Sequence, residues 1–465
     1  MNALLISTYE LGRQPFGLAS PAAWLRRVGA SVECLDLSRQ TASAGQIQRA
    51  DFIAFYVPMH TAARLAVAAL PKIRSINPQA HLCFYGLYAP VNERYFRSLG
   101  AQTILGGEFE AGLVSAFQRV KAAGESLDAK ALLAADSAKQ REPVISLATQ
   151  EFLPPDRAGL PELSRYAHLN LGDGKHFTVG TTESSRGCKH LCRHCPVVPV
   201  YNGHFRIVQP EVVLEDIRRQ VAAGARHITF GDPDFFNGPR HASEIVTALH
   251  AEHPHVTYDA TIKIEHLLKH SSLLPTLRDT GCLFVTSAVE SVDDEILARL
   301  DKGHTCANFV RVVELFREIG LTLSPTFVAF TPWTTLEGYA ELLARLVDLD
   351  LVEHVAPIQL AIRLLIPSGS RLLELSEVRE MVGPFDAAAM VYPWSNVDRR
   401  VDELCLEIQK IIQQGETKGD SRRAIFNRVW NLAHVMANES VRSFPDFPVG
   451  VSRAAIPYLN EPWYC

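Results

Sequence analysis

Three cysteines crowd one short stretch, Glu183-Ser184-Ser185-Arg186-Gly187-Cys188-Lys189-His190-Leu191-Cys192-Arg193-His194-Cys195-Pro196. Packing does not explain three soft ligands so close together, whereas a metal or a metal cluster does. Thiolates suit iron–sulfur clusters, and three on one loop hold three corners of a cubane while the fourth iron stays open to a chelating ligand. Gly187 lets the backbone turn tightly at the first ligand, and Pro196 ends regular hydrogen bonding after the last. The same residues also read as a zinc site completed by His190 or His194, since short Cys/His loops bind zinc. A structural zinc knuckle, however, does not need the long strand–helix series that follows. The remaining cysteines, at 34, 83, 282, 306, 405 and 465, are widely spaced, and most of them read as core thiols of a reducing compartment.

The elements that must position this loop alternate in two series. Residues 1–115 place strand-like runs (Ala3–Ser7, Val32–Leu35, Phe52–Val57, His81–Tyr85, Thr103–Leu105) between helical stretches (Ala19–Val28, Ala62–Ile73). This rhythm specifies an α/β domain, a parallel sheet with helices on both faces. A helical, then Pro-rich segment follows. A second alternation starts near 176, with strands expected at Phe177–Thr181, His227–Phe230, Val256–Thr261, Leu283–Ala288, Leu323–Phe330 and Val355–Leu360. Six such units fit a partial (β/α)6 barrel, and the cysteine loop directly follows the first strand, at the carboxyl mouth where catalytic groups gather. Helices Val401–Gln414 and Arg422–Met436 end the pattern. The expected division is 1–118 for a Rossmann-like domain, 119–175 for a linker, 176–375 for the barrel and 376–465 for a helical extension and tail.

Charge and hydropathy narrow the partners. A net charge of −5, with no stretch interleaving basic and aromatic residues, argues against nucleic acid and for a small-molecule substrate. The start lacks a basic signal region and no apolar run is long enough to span a membrane, so a cytoplasmic protein is expected.

The Cys188-x3-Cys192-x2-Cys195 spacing, placed after a strand that opens a barrel series, resembles the CxxxCxxC signature of the radical S-adenosylmethionine (SAM) superfamily. The resemblance implies a [4Fe-4S] cluster on these cysteines, SAM on its open iron, reductive cleavage of SAM to a 5′-deoxyadenosyl radical, and an electron donor such as flavodoxin or ferredoxin. The superfamily usually has an aromatic residue before the third cysteine; His194 stands there instead. Gly231 and Asp232 match the glycine- and acid-containing turn that contacts the SAM amino group, although the residues alone also read as an Asp-Pro turn closing a strand. Lys263, on one face with Glu265, is a SAM or substrate contact or a solvated charge. Glu290-Ser291 resembles a recurrent pair in which Glu290 receives the ribose hydroxyls, while Ser291, with Asp293 and Asp294, also reads as a helix start. Arg363 pairs with a carboxylate, of SAM or of the surface. Trp333 walls the site or packs.

The first series, with Gly17-Leu18-Ala19 opening its first helix and Gly106-Gly107-Glu108-Phe109-Glu110 after its last strand, resembles the cobalamin-binding-like domain that precedes many radical SAM barrels. It lacks the Asp-x-His-x-x-Gly that supplies a histidine to cobalt. Cobalamin bound without that ligand and a domain that only shapes the substrate channel are the two readings. Arg186–Arg206, Gly231–Gly238, Leu323–Thr335, His354–Gly369 and the ending Leu459–Cys465 together resemble the CUAEP/CCAEP-tail radical SAM proteins. In that family the tail runs on past a cysteine to Ala-Glu-Pro; here it stops at Cys465. A reading frame cut at a selenocysteine codon and a natural stop both fit, and Cys465 is a candidate reactive residue under the first. The expected function is a radical SAM transferase that alkylates, methylates or rearranges a small molecule. Transfer of the aminocarboxypropyl group of SAM to an arsenic, selenium or sulfur nucleophile is an alternative, and a non-catalytic iron–sulfur or zinc regulator another.

Overall fold

The apolar runs of the first series become strands buried on both faces, as parallel strands covered by helices must be. β1 (Asn2–Ser7), β2 (Ser31–Asp36), β3 (Phe52–Tyr56), β4 (His81–Tyr85) and β5 (Thr103–Gly107) pair in parallel in the order β2-β1-β3-β4-β5, and β6 (Ile145–Ser146) joins the outer edge of β5. Side chains alternate: Leu4 and Ile6 of β1 pack toward the helix His60–Ile76, whereas Ala3 and Leu5 pack toward the helices Phe16–Arg27 and Glu110–Glu125. Strand order reverses between β1 and β3, and the crevice outside the carboxyl ends at such a switch is where sheets of this kind receive ligands. The computed structural model describes residues 1–125, 140–171, 174–438 and 456–460. Cys465 and the rest of the ending 461–465 lie outside the described residues, as does part of the expected linker.

The second sheet is a curled, open half-barrel. β7 (His168–Asn170) pairs antiparallel with β8 (His176–Thr182); β9 (Ser185–Gly187) and β10 (Phe205–Ile207) form a separate antiparallel ribbon. From β8 the sheet continues in parallel through β11 (His227–Phe230), β12 (Thr257–Thr261), β13 (Cys282–Glu290) and β14 (Thr322–Phe327), while β15 (Tyr458–Leu459) lies antiparallel outside β7. The segment 119–175 thus gives one strand to each sheet, β6 and β7, and it carries a staple between them. Arg157 donates to both carboxylate oxygens of Asp216 at 2.9 Å, to Gln14 at 2.9 Å and to the Thr181 carbonyl at 2.6 Å.

The sixth expected strand is corrected: Val355–Leu360 contains the 3-10 turn Pro357–Leu360, and the sixth position is reduced to one parallel bridge between Phe330 and Arg363. Pro357 cannot donate to a ladder. Side chains replace it: Gln359 Oε1 accepts from the Phe327 amide at 3.1 Å, and His354 Nδ1 donates to the Leu323 carbonyl at 2.7 Å. The helices Arg399–Lys418 and Arg422–Met436 close this side, burying Leu404, Ile408, Val429 and Trp430 in the barrel core. Cys34, Cys83, Cys282 and Cys405 are buried and free, as core thiols should be. No helix among the described residues is long and apolar enough to cross a membrane.

Gly17 marks how tightly the first sheet is closed at its carboxyl edge: a Cβ there would lie 2.1 Å from the Tyr56 ring. Gly17→Ala is expected to lower stability by about 1–3 kcal/mol through overpacking, read as a shift in the urea midpoint at unchanged slope.

Candidate metal centre

The cysteine loop is held at its root by the β9–β10 ribbon, in which Gly187 faces Phe205 and Ser185 faces Ile207. Gly187 has φ +75°, and a Cβ there would meet the Tyr201 ring at 2.3 Å and the His204 carbonyl at 2.5 Å, so only glycine fits before the first cysteine. The loop is then tied on three sides. Asn237, in the turn after β11, donates to the Gly187 carbonyl at 3.1 Å and accepts from the Lys189 amide at 3.3 Å. The Arg193 amide donates to Leu300 at 2.9 Å, at the end of the helix Asp294–Leu300. Arg371 reaches the Leu191 carbonyl at 2.8 Å, and Ser370 Oγ reaches that of Arg193 at 3.2 Å.

Cys188 and Cys195 pack among Val197, Val200 and Tyr201 of the loop and Leu87, Val91 and Leu147 of the first sheet's side. Burial pushes both thiols up to about 12. They ionise at neutral pH only with a cation bound in the same apolar pocket, which is the situation of cluster ligands. Lys302, the nearby charge that lowers Cys195, is an ammonium and not a substitute for iron. The donor set therefore fits a [4Fe-4S] cluster.

Arg186, two residues before the first cysteine, is buried in the middle of four elements. Its guanidinium meets Glu110 at 2.7 Å, Glu183 at 2.9 Å and Glu108 at 3.3 Å, and lies over the rings of Phe152, Phe109 and Phe16 at 4.9, 5.3 and 5.7 Å. Ser20 Oγ and Gln150 Nε2 complete Glu110 at 2.7 and 2.9 Å, and Tyr201 OH donates to Glu108 at 3.1 Å. Against the burial that would raise it, Arg186 holds Glu110 below the usual carboxylate range; burial outweighs Arg186 at Glu108, which is raised, and at Glu183, which is pushed up to about 7. Glu10, in the loop after β1, is pushed up to about 8 by burial and by Glu183 beside it.

The expected contacts divide into two groups. Glu290 is at the mouth, buried, with φ +70° at a register shift between β13 and β14. Its Oε1 accepts from His194 Nε2 and from Lys302 Nζ, each at 3.1 Å. Burial would raise its carboxyl, but Lys302 and His194 hold it far below the usual range. Both bonds converge on one oxygen, so Oε2 is the one left for a ligand. Lys263 is buried beside the loop, with Nζ 3.1 Å from His190 Nδ1 and 3.3 Å from Glu265. Gly231 follows β11 directly, its amide bonded to the Thr182 carbonyl at 2.8 Å.

Three expected contacts have other work. Asp232 accepts from the Ser184 amide at 2.9 Å and from the hydroxyls of Ser184 and Ser185 at 2.7 and 2.6 Å, so both its oxygens are spent orienting the start of the cysteine loop. Ser291 Oγ accepts from the Asp293 amide at 3.1 Å, while Asp293 itself caps the helix. Arg363 is committed to Asp402 at 2.6 Å and to the Trp394 carbonyl at 2.7 Å, with its guanidinium 3.6 Å from the Trp394 ring centre. Trp333 packs in a small apolar group with Ile296, Leu364 and Ile366 under Arg299. Sequence reading missed Lys302, Glu108, Glu110 and Glu183. The acids of Gly106-Gly107-Glu108-Phe109-Glu110 were in view only as neighbours of a glycine pair.

Residues 182–343 match the model of the Radical SAM superfamily. Among curated proteins, the chain is similar to the hopanoid C-3 methylase of Methylococcus capsulatus, 26% identical over 151 residues, 32% of this chain and 29% of that protein. It is also similar to a tRNA-2-methylthio-N(6)-dimethylallyladenosine synthase of Chlorobium phaeobacteroides, 29% identical over 153 residues, 31% of this chain and 34% of that one. The match thus spans about a third of these relatives' length. Among solved structures, the fold is shared with the cobalamin-dependent SAM radical enzyme OxsB with aqua-cobalamin and SAM bound, at a TM-score of 0.69 and 17% identity, covering 89% of this chain and 67% of that one. It is shared too with the methyltransferase TsrM of Kitasatospora setae with tryptophan and aza-SAM bound, at a TM-score of 0.60 and 15% identity, covering 81% and 76%.

Two outcomes follow from the charges around the loop. Arg186→Met leaves buried carboxylates without their cation and is expected to cost about 3–5 kcal/mol in urea denaturation, with less iron retained per chain. Glu10 bears on pH: between its ordinary value of 4.5 and about 8, the folded chain keeps a proton that the unfolded chain has released, so stability falls as pH rises through that window. The urea midpoint is expected to drop from about pH 6 to about pH 8, and Glu10→Gln to shrink that drop.

Proposed function

We propose that this member of the radical SAM superfamily, with its cobalamin-binding-like first domain, is a transferase that cleaves SAM reductively to alkylate or methylate a small molecule. The observation that carries the reading is the coincidence of three cysteines on one clamped loop, one buried and two half-buried, with a free oxygen of an ionised, doubly anchored Glu290 at the same barrel mouth. When bound, a [4Fe-4S] cluster supplies one electron to the SAM sulfonium and thereby breaks a carbon–sulfur bond. The chain holds it through Cys188, Cys192 and Cys195. Leu87, Val91, Leu147 and Tyr201 wall the cysteines from water, which protects a radical from side reactions. Glu290 Oε2 accepts the ribose hydroxyls of SAM, and Lys302 and His194 keep that carboxylate ionised and immobile. Gly231 leaves room at the end of β11 for the methionyl end, and Lys263 supplies a positive charge for a carboxylate.

Transfer of a carbon group is supported by the relatives, a hopanoid methylase and a tRNA methylthio synthase. A small molecule is favoured over RNA by the net charge of −5. A reduced flavodoxin or ferredoxin is the electron donor, and the cytoplasm the compartment in which both occur. Cobalamin, bound in the OxsB structure and in another structure of TsrM, is an optional second cofactor. The rings of Tyr56, Tyr85 and Phe109, 5.0–6.0 Å apart, fill the space beneath the carboxyl ends of β3 and β4. The fit therefore extends to a corrinoid seated over the β1 loop, without a histidine from that loop, and not to one whose tail enters the sheet.

The test is anaerobic reconstitution with iron and sulfide, then dithionite and SAM, with and without cobalamin, and mass analysis of the products. 5′-Deoxyadenosine or a methylated acceptor is expected; methylthioadenosine would move the reaction to aminocarboxypropyl transfer, and intact SAM would leave a metal-binding regulator. Cys188→Ala should abolish cleavage. Glu290→Gln should weaken SAM binding about 10- to 100-fold at unchanged iron content, the loss due for a charged hydrogen bond.

A further inference from the structure

Within the cysteine loop, His190 points away from the thiols' apolar pocket toward the ends of β11 and β12. There it meets Asp234, in the turn after β11, and His266, in the first turn of the helix Ile264–Lys269 after β12. His190 Nε2 stands 3.1 Å from His266 Nε2 and 3.6 Å from Asp234 Oδ2, and Asp234 Oδ2 stands 2.6 Å from His266 Nδ1. Three donor atoms, one from each residue, lie within 4.8 Å of one another. With Nε2 as the ligand atom of His266, zinc bonded at about 2.0–2.1 Å in a tetrahedron would separate its donors by roughly 3.3 Å, close to the 3.1 and 3.6 Å that His190 Nε2 keeps from His266 Nε2 and Asp234 Oδ2; the 2.6 Å contact is made by the other ring nitrogen of His266.

A second observation points the same way. Asp234 and His266 are almost fully buried, and Asp234 Oδ2 receives no directed hydrogen bond, although it lies 2.6 Å from His266 Nδ1. A buried carboxylate oxygen without a directed donor is costly unless something else satisfies it. The other oxygen, Asp234 Oδ1, accepts from the Phe236 amide at 3.1 Å and fixes the carboxylate's orientation. Outer partners stand ready as well. His190 Nδ1 is 3.1 Å from Lys263 Nζ and 3.6 Å from Glu265 Oε2; a metal on Nε2 requires Nδ1 to donate, so Glu265 is then its acceptor and Lys263 keeps its 3.3 Å contact with that carboxylate.

We propose that His190, Asp234 and His266 form a mononuclear divalent-metal site, separate from the three cysteines, with zinc as its natural occupant. Two borderline imidazoles and one hard carboxylate are a set that zinc takes and that ferrous iron also takes, and three protein ligands leave a position for water or for a donor atom of a substrate. Such an ion pins the middle of the cysteine loop to the ends of two strands. It also places a Lewis acid beside the SAM cleft. The site does not depend on the reaction assigned above.

The experiment uses the full chain purified anaerobically, with its iron and sulfide in place, and measures zinc per chain by elemental analysis. One zinc beyond the cluster iron is expected, with nitrogen and oxygen but no sulfur donors at the zinc absorption edge. Asp234→Asn and His266→Gln should each weaken zinc binding at least about tenfold while iron and sulfide stay at the wild-type level. The variant with Cys188, Cys192 and Cys195 all changed to Ala should keep its zinc, which separates this site from zinc misplaced on the thiols. No zinc bound at micromolar free metal, sulfur among its donors, or wild-type affinity in Asp234→Asn would each overturn the proposal. Zinc retained by a protein that leaves SAM intact would overturn the assigned reaction and not the site.

Discussion

The buried guanidinium of Arg186 is the constraint on which the rest of the molecule leans. It sits on the chain just before the first cysteine, yet its carboxylate partners come from the far end of the first sheet as well as from the root of its own loop. Desolvating a cation and several carboxylates is expensive, and the expense is met only because every oxygen of Glu110 and the face of three aromatic rings are supplied at once. A partly assembled version of this cluster is worse than none. The two sheets therefore cannot drift apart while keeping the cysteine loop in place, and the geometry of the metal ligands is set jointly by both.

A similar economy governs the opposite rim of the loop. Where the superfamily usually has a ring beside the third cysteine, His194 supplies a nitrogen that binds Glu290, and Lys302 binds the same oxygen from the other side. The strained backbone of Glu290, in the left-handed region at a register shift, is tolerated because these bonds over-determine it. The departure at His194 is thus a structural link between the loop and β13. Asp232 does the corresponding work on the β11 side through Ser184 and Ser185.

Much of this was legible in advance where the signal is local. Five barrel strands, the parallel first sheet and the cysteine spacing all follow from period, run length and turn residues within a few positions of one another. Val355–Leu360 misled because its apolar run carries no sign that Gln359 and His354 would do a strand's bonding with side chains. For Arg363 the pattern left two carboxylates open, of SAM or of the protein; Asp402, its partner here, is on a helix that the pattern located but could not dock. Glu108 and Glu110 lie more than seventy residues from Arg186, and no spacing rule joins residues so distant. Lys302 stands next to Gly303 and His304 just past a helix, where a turn would explain all three without reference to Glu290.

The side-chain completion of the β14 edge has a bearing on how the molecule behaves in company. An unfinished barrel normally ends in a row of bare amides and carbonyls that invites strand addition from a neighbouring copy. Here Gln359 and His354 occupy groups on that row, Phe330 and Arg363 bridge it once, and two helices lie across the gap. An enzyme that must stay open at its mouth is in this way shut along its flank, so the breadth of its cleft does not carry a cost in self-association.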